Sequence, residues 1–375
     1  MEKTWVNVPD VLFFQEGPGV RNTQYTSDGV KLLNVANLID GNIDLSKSDR
    51  YISEEEAYGK YKHFLCDEGD FIVASSGIKV EYIDKKMGFV ENTMLPLCMN
   101  TSTIRFKSLD QEKLRIRYFM YYLKSNHFKR QLFKQITGSA QLNYGPSHLK
   151  KMMVPLTDIE KQDRIIAELD RTQNIINKYE KELMLLDKLI KARFVELFGD
   201  IVLNPFNWEK DYLGVVCDVR DGTHDSPHYY ETGFPLVTSK NVTGGKIDLM
   251  DCSLICEADF HKINERSKVD MGDIIMPMIG TVGKPVIVNV EPDFAIKNVS
   301  LIKFKDDSRV LNTFIRALLQ SDYFDNVVLR KVRGGTQKFV SLGDIRKLVV
   351  IVPPMVLQER FADFVAQVDK SKVVA

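Results

Sequence analysis

Apolar side chains return every seven residues along one stretch of this chain. Gln162, Leu169, Ile176, Leu183, Ile190 and Leu197 mark one seam, and Ile159, Ile166 and Phe194 extend a second. No glycine or proline falls between Pro155 and Gly199. A heptad sustained this far is the pattern of a coiled-coil helix, whose seam faces another helix. The predicted helix has about 40 residues and is roughly 60 Å long at 1.5 Å per residue. Thr157 with Glu160 three residues later reads as a capping box that satisfies the free amides of its first turn. Gln173, Glu180 and Asp187 interrupt the second seam, so the stripe is not uniformly apolar.

The flanking regions have a different rhythm. Runs such as Phe71-Ile72-Val73 and Leu348 to Val352 read as strands between glycine turns, and 112–135 and 309–330 as helices. These regions also repeat each other. GVKLLNVANLIDGNIDL from Gly29 aligns with GFPLVTSKNVTGGKIDL from Gly233, matching Asn37 to Asn241 and Gly41 to Gly245. Gly69-Asp70 aligns with Gly272-Asp273, and Ile104-Arg105-Phe106-Lys107 with Ile302-Lys303-Phe304-Lys305. Tyr118 to Ser125 aligns with Phe314 to Ser321, Gly138 to Gln141 with Gly334 to Gln337, and Gln162 with Gln358. The Gly-Asp pairs read as turn chemistry, with glycine at positive φ and aspartate bonding nearby backbone.

The expected fold class is therefore α+β. Two mixed α/β heads, 1–156 and 200–354, stand in tandem, separated by a long coiled-coil helix, 157–199, and followed by a short second helix, 355–375. Gln358, Phe361, Val365 and Val368 begin that second helix as Gln162 begins the first. A full pair would lie antiparallel and hold the heads apart. The second helix stops well short of its counterpart, which leaves 179–197 without an obvious partner in the chain.

Composition narrows the class. The chain is 44% hydrophobic, enough for a core in each half. Its 51 basic and 51 acidic residues cancel, which argues against a basic nucleic-acid tail but not against local basic patches. No run reaches the ~18 apolar residues that span a membrane, and residues 1–10 carry no signal-peptide pattern. Five cysteines without CxxC spacing suit reduced, buried thiols and a cytoplasmic location.

Charge then points to a ligand. Nine basic and no acidic residues lie from Lys113 to Lys151, and eight basic against three acidic from Arg309 to Lys347. Twin basic stretches suit phosphate contacts. The glycine loops beside them carry amides and cations that can pair with bases. The expected DNA contacts are Lys124, Lys129, Arg130, Lys134, Ser139, Gln141, Asn143 and Tyr144 in the first head. In the second they are Arg330, Lys331, Arg333, Thr336, Gln337 and Lys338. Solvated helix faces and purely structural glycine turns are the plainer alternatives for both.

Catalytic patterns do not emerge. Gly280-Thr281-Val282-Gly283-Lys284-Pro285 lacks the P-loop spacing and its Ser/Thr. Asn204-Pro205-Phe206 lacks the second proline of a base-flipping tetrad, and no cofactor loop precedes it. His224 and His228 are separated by Pro227 and lack the glutamate of HExxH, so no metal is assigned.

Taken together, the order of motifs resembles the specificity subunit of type I restriction-modification systems. The likeness rests on the two heads, each opening near a tryptophan (Trp5, Trp208) and running through the Asn-x-x-x-Gly-x-Ile-Asp-Leu turn, the Gly-Asp strand and the Gly-x-x-Gln loop to a Gln-led helix. The resemblance implies two target recognition domains, each reading half of a split DNA sequence. Helices would set the gap and dock methyltransferase and restriction subunits. It implies that this subunit performs no chemistry and holds no cofactor; S-adenosylmethionine, ATP and Mg would belong to the partner subunits. The short second helix departs from the family pattern. It leads us to expect weakened assembly, or self-association through the unpaired central helix. Two other readings stay open: a coiled-coil scaffold with two protein-binding heads, and a stand-alone reader of a single-chain restriction-methylation enzyme.

Overall fold

The computed structural model describes residues 4–136, 143–278, 284–329 and 340–374. The chain forms two compact units, Met1–Ile176 and Asn177–Ala375. A continuous helix, Ile159–Phe198, begins in the first and ends in the second.

The first head is built on a four-stranded antiparallel sheet. Leu12–Glu16 lies beside Thr103–Ser108, then Phe71–Ala74, then Met87–Phe89. Phe106 sits opposite both Phe14 and Phe71, and Phe71 stacks on Phe89 with ring centres 4.8 Å apart. A smaller sheet sets Val30–Leu33 between Tyr51–Ile52 and Leu97–Met99, parallel to the latter. Thr4–Asn7 pairs with Met153–Leu156, so the first strand is tied to the last before the long helix. Two helices, Ile116–Lys124 and Asn126–Gln135, cover the larger sheet with Phe119, Leu123, Phe128 and Leu132. Ser125 separates them: its hydroxyl accepts from Phe128 N–H and caps the second.

The second head repeats this plan strand for strand. Its larger sheet runs Asp218–Asp221, Val299–Lys303, Ile274–Pro277, Val286–Ile287. Its smaller sheet sets Phe234–Val237 between Ser253–Ile255 and Ala295–Ile296, again parallel to the last. Glu209–Tyr212 pairs with Val349–Val352 to close it.

Shared polar devices reveal the repeat more finely. Asn37, wholly buried, accepts from Asn34 N–H at 3.0 Å and donates to Asp44 C=O at 3.0 Å. Asn241 does the same with Thr238 N–H and Asp251 C=O, at 3.0 and 3.1 Å. Gly69 and Gly272 have φ of +83° and +86°, and the aspartates after them accept from Asp67 N–H and Asp270 N–H. This is the expected turn chemistry, with an ion pair added. Lys107 bridges Asp67 and Asp70 at 2.5 and 3.0 Å, and Lys303 bridges Asp270 and Asp273 at 2.7 Å each.

That equivalence corrects the repeat alignment. Phe71 faces Phe106 and Ile274 faces Ile302, so Phe106-Lys107 corresponds to Ile302-Lys303. The sequence match places Ile104-Arg105 there instead. An error of two residues keeps every side chain on its correct face, so the apolar pattern could not expose it.

The helix start also differs from expectation. Asp158, not Thr157, is the cap: its carboxylate accepts from Lys161 N–H at 2.8 Å. Gln162, assigned to the seam by its heptad position, is wholly buried against its own head. Its side-chain oxygen accepts from Arg115 N–H at 3.0 Å, and its amide donates to Lys113 C=O at 2.8 Å and Thr157 C=O at 2.9 Å. Gln358, equally buried, accepts from Leu311 N–H at 2.8 Å and donates to Arg309 C=O and Pro353 C=O at 3.0 and 2.8 Å.

Farther along, Leu169, Ile176 and Leu183 are exposed. Ile190 and Leu197 pack at the edge of the second head's core, which takes in Phe194 and Phe198 and also Phe361 and Val365. Val368 is buried too. The terminal helix, Met355–Val374, therefore does find a partner within the second unit. Phe361 lies 5.5 Å from both Phe194 and Phe198, ring centre to ring centre. Arg193 sits over Phe364, and Lys372 reaches Asp187 at 2.8 Å, so the two helices run antiparallel. The expectation that 179–197 lacks a partner in the chain is corrected from Asp187 onward. Heptad residues Ile190, Phe194 and Leu197 join the off-heptad Phe198 in this contact; the periodicity marks the buried face but not the helix that covers it.

Gln162→Ala and Gln358→Ala each remove the side-chain partner of two carbonyls and one amide. Each is expected to lower the unfolding free energy of its own unit by ~2–4 kcal/mol, read by urea titration. A decrease below ~0.5 kcal/mol in both would show that the clip is dispensable.

Candidate nucleic-acid interface

The basic stretch of the first head is less uniform than its sequence. Arg115 binds Asp163 through two guanidinium nitrogens at 2.8 and 3.0 Å, and Arg117 binds Asp170 at 2.9 Å. These two arginines fasten the long helix to its head. The Arg115 guanidinium in turn holds the Asp163 carboxyl below its usual range. Lys113 pairs with Asp110 at 3.4 Å. Lys129, an expected DNA contact, donates to Asp84 and to Glu81 C=O, both at 2.9 Å. Carboxylates distant in sequence thus neutralise most of these four cations, and Asp110 the remaining one.

Lys124, Arg130, Lys134, Lys150 and Lys151 have no acidic partner among the described residues. Lys124 lies 5.2 Å from the centre of the Tyr121 ring, and burial pulls its ammonium below the ordinary lysine range. Arg130 donates to Asn126 C=O one turn back. Lys134 is exposed at the end of Asn126–Gln135. The unpaired cations therefore flank residues 137–142 on both sides in the chain.

Ser139 and Gln141 lie outside the described residues. Asn143 is exposed and bridges to Ser76. Tyr144, expected to face DNA, is 1% exposed and belongs to the core. Its N–H donates to Ser75 C=O at 2.9 Å, and burial raises its hydroxyl well above the usual tyrosine range. The ring fills the hydrophobic cluster and so anchors the end of the loop instead of contacting a ligand.

In the second head Arg330, Lys331, Arg333, Thr336, Gln337 and Lys338 all lie outside the described residues. Of the described cations there, Arg309 pairs with Glu209 and Asp211 at 2.7 and 2.8 Å, and Arg316 pairs with Asp369 at 3.6 Å. Arg346 donates twice to Val219 C=O. His224 is not drawn toward His228. It bonds Asp221 and Asn298, both at 2.8 Å, while His228 packs edge-on against Tyr230. No group of three or more His, Cys, Asp or Glu among the described residues could hold a metal ion.

One feature of the first head has no local signature. A cleft of about 530 Å³ opens at one end of the smaller sheet, just beyond its strands, with Asn34, Arg50, Thr101 and Ser102 among its lining residues. Asn100 lies buried beside it and donates to Asn34 Oδ1 at 2.8 Å. These residues come from three distant segments. No spacing rule would have joined them; only the pairing of Val30–Leu33 with Leu97–Met99 does.

Two heads of one plan, each ending in a Gln-docked helix, define the class: a tandem duplication of an α+β head and its helix. Comparison with known proteins then gives the kin. Residues 24–185 match the family model described as the type I restriction modification DNA specificity domain. The chain is 23% identical over 329 residues to the type I restriction enzyme MjaVIII specificity subunit of Methanocaldococcus jannaschii, covering 82% of this chain and 74% of that protein. It is 24% identical over 307 residues to the MjaIX specificity subunit of the same organism, covering 74% and 68%. The type I restriction-modification S subunit from M. genitalium shares its fold, with a TM-score of 0.54 at 16% identity over 99% of this chain and 90% of that one. The chain thus resembles type I specificity subunits in sequence and in fold, as its order of motifs implied.

The pairing pattern predicts unequal roles for neighbouring lysines. Lys134→Gln with Lys151→Gln is expected to reduce the slope of log affinity for duplex DNA against log salt, by about 0.9 for each phosphate that is no longer neutralised. Lys129→Gln should leave that slope unchanged. Fluorescence-anisotropy titrations at several salt concentrations distinguish the two, and the reverse ranking would contradict this charge map.

Proposed function

We propose that this chain is the DNA-binding specificity subunit of a type I restriction-modification complex. Each head reads one half of a bipartite duplex target. The observation that carries the proposal is the duplication itself, in which two heads with the same strand order are each clipped to a helix by the same buried glutamine. A rigid spacer suits a reader of two half-sites, because separated sites on a duplex must be met at a fixed interval of about 34 Å per turn. The match of 24–185 to the specificity-domain family supports the same reading.

On this reading the chain itself performs no catalysis. Methyltransferase and restriction subunits supply it, together with S-adenosylmethionine, ATP and Mg. The exposed mid-portion of the long helix, with Ile176 at 45% and Leu183 at 37% exposure, is a surface on which such subunits, or a second copy of the chain, would dock. Five free cysteines suit a cytoplasmic setting, and no helix among the described residues is long and apolar enough to cross a membrane. The heads share a frame and differ in surface, so the two half-sites should differ.

Head exchange tests the proposal. Replacing 1–156 with the head of another specificity subunit should change one half-site of the methylated target and leave the other intact. Deleting Gln173 to Tyr179, two helical turns, should alter the gap or abolish assembly while both half-sites persist. A chimera whose methylation pattern is unchanged, or changed in both halves, would contradict the division of labour.

A further inference from the structure

Each head sets a tyrosine beside its smaller sheet. In the first it is Tyr25, one residue before the bridge from Thr26 to Tyr51. In the second it is Tyr229, one residue before the bridge from Tyr230 to Leu254. The residue before the bridged one is Arg50 in the first head, where its carbonyl accepts from Leu32 N–H, and Ser253 in the second, where it faces Leu236. The frame is common and the side chain on it is not.

Arg50 is held in a defined pose. Its guanidinium lies 5.2 Å from the centre of the Tyr25 ring, and one nitrogen donates to the Tyr25 hydroxyl at 3.4 Å. That hydroxyl also accepts from the buried Asn100 amide at 3.4 Å. Asn100 in turn fixes Asn34, whose own amide donates to Leu32 C=O at 3.1 Å and Ser48 Oγ at 3.2 Å. Both asparagine amides spend their donors inside this cluster, on Tyr25, Asn34, Ser48 and Leu32, so they serve as a rigid wall. Arg50, exposed and without a carboxylate partner among the described residues, keeps donors to spare.

The cleft also adjoins Asn143, one of the residues expected from the sequence to contact DNA. Its wall at Ser102 accepts from Ser75 N–H at 2.8 Å, and the next residue, Ser76, bridges to Asn143. In the second head the cation has moved. Lys297, the counterpart of Thr101, donates to Ser226 Oγ at 2.8 Å.

We infer that the cleft is a base-reading subsite of the first head, in which Arg50, levelled by Tyr25, recognises a guanine edge in duplex DNA. Arginine stacks on aromatic faces and presents two parallel donors. Those donors match O6 and N7 of guanine in the major groove. Ser253 cannot make that contact, so the second head should lack this preference at its corresponding position. The inference rests on the DNA-reading function proposed above.

The test selects duplexes from a random pool with the chain and its cognate methyltransferase subunits, comparing wild type, Arg50→Ser and Arg50→Lys. Arg50→Ser is expected to lose discrimination for guanine at one position of one half-site by about 5- to 100-fold. The other half-site and the gap should persist. Arg50→Lys should keep overall affinity while losing most of the same discrimination. An unchanged motif in folded Arg50→Ser overturns the subsite. A fall in affinity uniform across all sequences does so too, since that marks a phosphate contact. If the wild type itself selects no motif, the DNA-reading function falls and the subsite falls with it.

Discussion

A single buried glutamine fixes each helix to its head. Gln162 and Gln358 each answer one amide and two carbonyls of the backbone around them. Both side chains are wholly buried, and a backbone group left without its partner in such a place costs ~1–3 kcal/mol. Around the first clip, Arg115 and Arg117 add ion pairs to Asp163 and Asp170; around the second, Arg316 pairs with Asp369. A reader with two heads depends on such joints, because a loosely hinged helix would transmit no fixed spacing.

The two heads show how a protein can keep a frame while changing what it presents. Strand order, the Asn37 and Asn241 clips, and the lysine bridging two aspartates recur at matching positions. The surfaces diverge. Arg50 gives way to Ser253 and Thr101 to Lys297. Shared interior contacts preserve the fold, while unshared exterior ones are free to specify different ligands.

Much of this is legible in the sequence, and the exceptions have physical causes. The duplication, the long helix and the Gly-Asp turns can be read because each rests on local spacing or on residues that only one backbone conformation accepts. The register of Lys107 cannot, because a two-residue slip preserves the alternation of faces. Gln162 sits on the heptad seam yet docks its own head, since periodicity reports which face is buried and not against what. Tyr144 has the composition of a reader and is an anchor; aromatic rings serve both ends, and burial alone separates them. The basic stretch overstates the free charge because Asp84, Asp163 and Asp170, remote in the sequence, return to neutralise it. Asn34, Tyr25, Arg50 and Asn100 meet only through sheet pairing, so no motif announces them.

Two differing heads on one spacer should read one split DNA sequence. Sequencing of duplexes selected from a random pool by the complete complex, with its methyltransferase subunits, decides this. One bipartite motif with two dissimilar halves and a fixed gap is the predicted result. Enrichment of a single contiguous motif, of two identical halves, or of no motif would contradict it.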